Sequence, residues 1–184
     1  MQLIIISGAP CTGKTTLAQK ISTKFKLPLI SKDDIKESLF DSLGIKDREW
    51  SKKLGIASYK ILYQTLELLL QTNKTFIVEN NFEPKFADQK FNTLKNKYNF
   101  EILQIICETK GEILFERFKK RSESSERHPG HVDHLNYNEF KKTLLKEEYP
   151  ALNIGSKVYK IDTTNFSKID YVSIFKIIKS TLKY

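Results

Sequence analysis

Gly8, Ala9, Pro10, Cys11, Thr12, Gly13, Lys14 and Thr15 follow the spacing G-x-x-x-x-G-K-[ST], an arrangement suited to holding a polyphosphate. The two glycines let the backbone wrap an anion, so that successive N–H groups and the helix opening at Thr15 and Thr16 face it. Lys14 has the reach for β- and γ-phosphates, and the Thr15 hydroxyl is a ligand for Mg²⁺. Carboxylates form the second set. Asp33 and Asp34 stand together, and Glu79 precedes Asn80 and Asn81. Beside a bound triphosphate, an acid can accept the proton of an attacking hydroxyl. Asp33 is the candidate for that base; the alternative is that Asp33 and Asp34 only complement a helix dipole. Glu79 either positions Mg²⁺ through water or is an ordinary strand-end acid.

Arginine usage adds a third set. The chain has four arginines, and Arg117, Arg121 and Arg127 fall within eleven residues while Arg48 stands apart. Transfer of a phosphoryl group builds charge that planar, bidentate arginines stabilise better than lysines do. Arg117 and Arg121 share one helix face, and Arg127 lies in the adjoining loop, from which it arrives on closure. A plainer alternative pairs Arg117 and Arg121 with Glu112, Glu116 or Glu123 on the surface. His128, His131 and His134 crowd the same loop. Their spacing fits no zinc pattern, which leaves substrate or phosphate contact by His128 and His131, or a plain polar lid.

Positioning these groups requires strands that end where they stand. Leu3 to Ser7 is an apolar run rich in isoleucine and reads as a buried strand, with a helix from Lys14 to Phe25 after the loop. A short strand at Leu27 to Ile30 leads through Ser31 and Lys32 to Asp33, where a helix begins with Ile35, Leu39 and Leu43 inward and ends at Gly44. Arg48 to Gln71 is a long amphipathic helix with Trp50, Leu54, Ala57, Ile61, Leu62, Thr65, Leu66 and Leu69 as its apolar stripe. Thr75 to Val78 is the third strand, Phe86 to Tyr98 a helix, and Phe100 to Cys107 the fourth strand. Thr109 to Glu112 has capping-box spacing and opens a helix running to about Arg121. Ser122 to His134 is polar and turn-rich, which predicts a mobile loop. Tyr137 to Glu148 is helical, Lys157 to Ile161 the last strand, leading into Asp162, Thr163 and Thr164, and Ser167 to Leu182 the closing helix. Alternation of this kind predicts a parallel five-stranded sheet covered on both faces, in one domain spanning residues 1–184, with ligands outside the carboxyl ends of the strands.

Composition narrows the setting. At 184 residues the chain is one domain long and can bury a core without staples. Two cysteines provide no disulfide framework, and neither a signal peptide nor a membrane span is visible, so a cytoplasmic protein is expected. The net charge of +9 invites nucleic acid as a partner, but lysines are scattered through nearly every segment.

GAPCTGKTT, SKDDIKESL, FIVENNFEP, the ERFKKR helix with its loop and the late KIDTT resemble P-loop kinases of the small-molecule and polynucleotide-kinase type, such as chloramphenicol phosphotransferase, zeta toxin and polynucleotide 5′-hydroxyl kinase. RHPGHVD is similar to bacterial ATP-binding proteins. The resemblance implies the three-layer α/β/α P-loop NTPase fold with a lid at about 117–136, and ATP and Mg²⁺ as cofactors. It implies Asp33 as base, Lys14 and Thr15 on phosphate and Mg²⁺, and Arg117 stacked on adenine. Arg121 and Arg127 fall on the phosphates, and Asp162, Thr163 and Thr164 beside the adenine. Lys36 stands where relatives carry a substrate-orienting arginine, and Glu79 replaces the more usual aspartate. The expected activity is transfer of the γ-phosphoryl group of ATP to a hydroxyl of a small molecule. Its rivals are a polynucleotide 5′-hydroxyl kinase and a nucleotide-binding regulatory ATPase. Neither the acceptor's identity nor the oligomeric state follows from the sequence.

Overall fold

A computed structural model describes residues 2–125, 127–132 and 137–182. Its frame is five strands: β1 (Gln2–Gly8), β2 (Leu29–Ser31), β3 (Phe76–Glu79), β4 (Glu101–Glu108) and β5 (Lys157–Asp162). They pair in parallel in the order β2-β3-β1-β4-β5. Seven α-helices connect and flank them: α1 (Lys14–Phe25), α2 (Lys32–Leu43), α3 (Arg48–Gln71), α4 (Pro84–Tyr98), α5 (Gly111–Ser122), α6 (Tyr137–Leu144) and α7 (Tyr171–Thr181). The fold is the expected three-layer α/β/α arrangement.

Alternation along β1 builds both cores. Leu3 and Ile5 enter a cluster with Leu62, Leu66 and Phe91 of α3 and α4. Ile4 and Ile6 face the other way, onto Leu17 and Ile21 of α1 and Ile174 and Ile178 of α7. Both faces of the sheet are therefore covered, which is why β1 reads as an unbroken apolar run. From β1 the chain goes to one side of the sheet for β2 and β3, then crosses to the other for β4 and β5. The crevice above β1 is thus the switch point where such sheets take ligands.

Element boundaries mostly fall within two residues of expectation, but five differences have physical reasons. The Thr109 hydroxyl does not cap α5; it meets Thr163 Oγ1 at 2.7 Å, while the Gly111 N–H is capped by Glu147 from beyond α6, at 2.5 Å. Helix α6 stops at Leu144 rather than Glu148. The stretch before α7 is a short 3-10 turn at Phe166–Lys168, because the Asn165 side chain accepts the Ser167 N–H and Asp170 caps the helix proper. The stretch expected to be a mobile lid splits in two: residues 117–122 belong to α5, and a 3-10 turn at Pro129–His131 docks on α2, with His128 stacked on Phe40. Gly130 lies so close to Phe40 that a Cβ there would come within 2.4 Å of the ring.

The fifth difference concerns which faces turn inward. On α2 the fully buried stripe is Lys32, Lys36 and Phe40; Ile35 packs half-buried on the core as expected, Leu39 is half-buried, and Leu43 is exposed. On α3 the buried stripe is Ser51, Leu54, Ser58, Leu62, Leu66 and Leu70, so that Ile61 is pushed outward. The two departures are one event. Small residues Ser51 and Gly55 on α3 leave room for the Lys36 side chain, whose Nζ donates to Ser51 Oγ at 2.9 Å. Lysines are seldom buried without a purpose, and this pair faces a cavity.

Candidate active site

The loop after β1 has the strained backbone a phosphate cradle needs. Gly8 has φ +146°, and a Cβ on it would lie 2.5 Å from the Cys107 carbonyl oxygen. Gly13 has φ +81° and backs onto the Phe166 ring, which a Cβ would approach to 2.7 Å. Between them Cys11 holds φ +66°, and the Thr12 hydroxyl ties the loop by donating to the Ala9 carbonyl at 2.9 Å. Gly13 is also the N-cap of α1 and offers no side-chain cap, so the first N–H groups of α1 face the loop's concavity. Thr15 sits half-buried in the first turn, and Thr16 is exposed.

Lys14 connects this loop to β3. Its Nζ lies 3.4 Å from the Ala9 carbonyl and 3.7 Å from Glu79 Oε1. Glu79, 3% exposed, accepts a hydrogen bond from Ser31 Oγ at 2.9 Å. Burial pushes the Glu79 carboxyl above its ordinary range, against Lys14 and Ser31, which pull it down. Asn80, the next residue, donates to the Tyr59 hydroxyl at 2.8 Å. Among the described residues no cluster of His, Cys, Asp and Glu forms a metal cage. A hydroxyl at Thr15 and a buried carboxylate at Glu79 are sparse, hard-oxygen groups of the kind that suits Mg²⁺ where substrate phosphates supply the remaining ligands.

Asp33 occupies the first turn of α2 and remains 39% exposed. Its Oδ1 lies 3.2 Å from Lys32 Nζ and its Oδ2 3.3 Å from Arg127 Nη1. Burial alone would raise its pKa, but Lys32, His131, Arg127 and Lys14 together hold the carboxyl well below the usual range. Asp34, by contrast, is pushed up by burial and by Glu37 and Asp33. A network continues from Asp33: Arg127 Nη1 is 3.7 Å from Glu37 Oε1, which also meets His131 Nε2 at 2.8 Å. The hydrogen bond from His131 and the charge of Arg127 hold Glu37 below its ordinary value, while burial, at 4% exposure, holds His131 below its own.

These groups surround one cavity of about 140 Å³, lined among others by Pro10, Lys14, Lys32, Asp33, Lys36, Arg48, Glu79, Asn80, Asn81, Arg121, Arg127 and His131. A wider groove of about 860 Å³ lies on the other side of Pro10, between the phosphate loop, Phe82 to Lys85 and the end of α6. Residues expected at the site and found on the smaller cavity are therefore Pro10, Lys14, Asp33, Lys36, Glu79, Asn80, Asn81, Arg121, Arg127 and His131. His128 is not among them. It turns to Asp41, with Nε2 3.0 Å from Oδ1, and accepts the Gly130 N–H. His134 lies outside the described residues.

Arg117 lies at the other end of the loop, where its Nη1 and Nη2 donate to the Thr163 and Thr164 carbonyls at 2.9 and 2.7 Å. Its guanidinium carbon lies over the Phe166 ring, 3.8 Å from the centroid. Thr163 is buried and spends its hydroxyl on Thr109 and on the Glu108 carbonyl, while Asp162 Oδ1 accepts the Thr164 N–H. Among the described residues Arg117 makes its hydrogen bonds to the Thr163 and Thr164 carbonyls rather than to Glu112, Glu116 or Glu123.

Sequence reasoning missed Lys32, Arg48, Glu37 and Phe166. Lys32 and Glu37 were legible only as surface charges beside Asp33. Arg48 gave a signal in being one of only four arginines, and the fold brings it to the same cavity as Arg121 and Arg127.

A family model described as an AAA domain matches residues 3–145. The solved structure of a "putative kinase" from Chloroflexus aurantiacus J-10-fl is similar over 99% of this chain and 98% of that one, with 35% identity and a TM-score of 0.90. An unliganded sugar kinase from Janibacter sp. HTCC2649 covers 89% of this chain and 86% of its own, at 12% identity and TM-score 0.54. A gluconokinase from Sinorhizobium meliloti 1021 covers 97% and 92%, at 10% identity and TM-score 0.53. At such identities the last two likenesses are of fold alone. No curated protein matches the sequence. None of the described helices is long and apolar enough to cross a membrane. With more than half its length matched, and with its phosphate loop at the switch point of a P-loop kinase fold, the chain belongs to the AAA domain family.

Proposed function

We propose that the protein is a kinase that transfers the γ-phosphoryl group of ATP, with Mg²⁺, to a hydroxyl of a small molecule. One observation carries the reading: Lys14 of the phosphate loop, the carboxylate of Asp33 and the guanidinium groups of Arg121 and Arg127 converge on one cavity. A nucleotide-binding module needs the loop alone; a carboxylate opposite it and arginines from a third element are what transfer to a hydroxyl requires. The AAA domain match and the 35% identical relative described as a kinase support the same reading.

In this reading the loop N–H groups and Lys14 hold the β- and γ-phosphates, and Thr15 and Glu79 hold Mg²⁺, which neutralises phosphate charge when bound. Adenine lies near Arg117, Phe166 and the Asp162-Thr163-Thr164 backbone. The acceptor hydroxyl lies against Asp33, with Asn80 and Asn81 beside it. Asp33 is ionised at every physiological pH and is therefore a weak base, yet it suffices to orient a hydroxyl and take its proton late, when the new O–P bond has formed. Arg127 holds Asp33 in the absence of nucleotide; movement to the γ-phosphate frees the carboxylate for the acceptor.

A panel of hydroxyl compounds tests the reading: sugars, nucleosides, antibiotics, hydroxy acids and 5′-hydroxyl oligonucleotides, with ATP consumption measured for each. ATP turnover is expected to rise with at least one small molecule and to vanish in Lys14→Ala. Turnover indifferent to every acceptor points to a regulatory ATPase, and turnover stimulated by oligonucleotides alone points to a polynucleotide kinase.

A further inference from the structure

Among the described residues, Asn80 is a buried amide satisfied on one edge only. It is 3% exposed and follows β3, with its backbone N–H on the Ile6 carbonyl of β1 at 3.2 Å. Its Nδ2 donates to the Tyr59 hydroxyl at 2.8 Å. Its Oδ1 accepts no hydrogen bond from any described residue, and that oxygen is not sealed inside the protein; it opens on the cavity that Asn80 lines. Buried polar side chains are seldom left half-satisfied, so an acceptor in this position calls for a donor from a ligand.

Tyr59 decides which edge of the amide faces the cavity. Half a turn of an asparagine side chain exchanges its oxygen for its NH₂, so a bond made by one edge selects the other for the ligand. Tyr59 is itself held in place. Its ring stacks on Tyr63 with centroids 6.4 Å apart, and Tyr63 meets Phe91 edge-on in the core of that face of the sheet. Burial holds the Tyr59 hydroxyl above its ordinary pKa, with Asn80 pulling the other way, so it stays neutral. Lys32 Nζ stands 5.6 Å from the centre of the same ring and 3.2 Å from Asp33 Oδ1. One tyrosine of α3 therefore sets the amide beyond β3 against the start of α2, where the candidate base stands.

We propose that the phosphoryl acceptor is a polyol or amino alcohol whose second hydroxyl or amine donates to Asn80 Oδ1 while the reacting hydroxyl donates to Asp33, and that Tyr59 is the residue that positions Asn80 for this contact. The inference rests on the kinase reading and narrows its substrate class. One group cannot make both contacts, for a hydroxyl has a single proton to donate and the reacting one gives it to Asp33. Both residues line the same cavity of about 140 Å³, so the two donors belong to neighbouring positions of one small molecule. A simple alcohol that displaces water from the cavity leaves Asn80 Oδ1 unpaired, and a site built around a hydrogen bond rejects the analogue that lacks it.

Two measurements test the inference, one of them independent of catalysis. In the first, the side-chain amide signals of ¹⁵N-labelled protein are recorded, and the pair missing from Asn80→Ala is that of Asn80. Tyr59→Phe keeps the ring on Tyr63 and removes only the hydroxyl, and is expected to shift that pair and speed its exchange with water. An unmoved pair overturns the positioning role of Tyr59. In the second, an acceptor that raises ATP turnover is compared with analogues in which each of its other hydroxyl or amino groups in turn is replaced by fluorine, which cannot donate, or exchanged for the other donor. In wild type, fluorine at one position is expected to lower kcat/KM by about ten- to a hundredfold, mainly through KM, and the exchanged donor to restore most of it; the better of the two donors tells a polyol from an amino alcohol. Asn80→Ala is expected to bring the parent compound down to the level of its fluorinated analogue. Tyr59→Phe should shrink the difference between them to less than about threefold, because the freed amide turns either edge to the ligand, whereas a general loosening of the fold lowers both compounds alike. An unaltered Kd for a non-hydrolysable ATP analogue certifies that each variant is folded. Fluorine tolerated at every position, or a penalty that survives in Asn80→Ala, overturns the inference and leaves the kinase reading intact. Turnover that no acceptor raises overturns the kinase reading and the acceptor contact with it.

Discussion

Exchange of Asp33 for asparagine separates the two roles its position allows. If the carboxylate only complements the dipole of α2, its loss costs about 0.3–1 kcal/mol of stability and nothing in turnover. If it takes the acceptor proton, kcat falls by about 10²–10⁴, equivalent to about 2.7–5.4 kcal/mol of transition-state stabilisation. The same exchange acts on the nucleotide in the opposite direction. Arg127, 11% exposed, lies 3.3 Å from Asp33, which is 39% exposed, so the attraction is partly screened by solvent. At that screening it is worth about 1 kcal/mol, so its removal loosens the hold on Arg127, which Glu37 still shares, and tightens ATP binding by up to about fivefold. The expected signature is therefore a collapse in kcat with a lower Kd for ATP. Calorimetry with a non-hydrolysable analogue gives the second quantity and steady-state kinetics at saturating acceptor the first. A kcat within about threefold of wild type would refute the reasoning, for the exchange leaves the geometry of α2 intact and removes only the charge.

Three further outcomes follow from the geometry. Phe166→Ala removes the ring beneath the Arg117 guanidinium and beside Gly13, and is expected to raise the KM for ATP by up to about tenfold with little change in kcat. Stability should fall on acidification: buried His131 resists protonation, so the folded form loses ground as pH drops below the ordinary histidine value of 6.5. Glu37, whose carboxyl is held low, contributes stability that is present above its ordinary value of 4.5 and is lost as pH falls through its lowered one. Thermal melts between pH 8 and about 3 check both, the His131 effect above pH 5 and the Glu37 effect below 4.5, and His131→Gln should flatten the upper part of the curve. Gly55→Ala should raise the melting temperature, gaining about 0.5–1 kcal/mol from helix propensity, because a Cβ there meets Lys36 only at 3.9 Å, an ordinary contact.

The strand ends were legible because their signals are local. A run of isoleucines into a glycine-rich loop, or an acid pair after a short strand, names its own position. What stayed hidden is tertiary. Helical periodicity places Ile35, Leu39 and Leu43 inside α2, and Ile35 does pack on the core, but the most buried stripe is Lys32, Lys36 and Phe40, whose two lysines line a polar cavity. The two serines on the inner face of α3 break an otherwise apolar pattern for the same reason. His128 and His131 are three residues apart and identical in type, yet a turn at Pro129 sends one to Asp41 and the other to Glu37, which spacing alone does not distinguish. The capping of α5 by Glu147, thirty-six residues on, has no local signature at all.

The central claim is that these strand ends form a site for transfer to a hydroxyl and not for hydrolysis. Its most direct test follows the label of [γ-³²P]ATP in the presence of the best acceptor and asks which product carries it. The account predicts that the label appears in a phosphate ester of the acceptor, in a reaction abolished by Lys14→Ala and reduced at least a hundredfold by Asp33→Asn. Label recovered only as inorganic phosphate, at a rate that no acceptor alters, would contradict it.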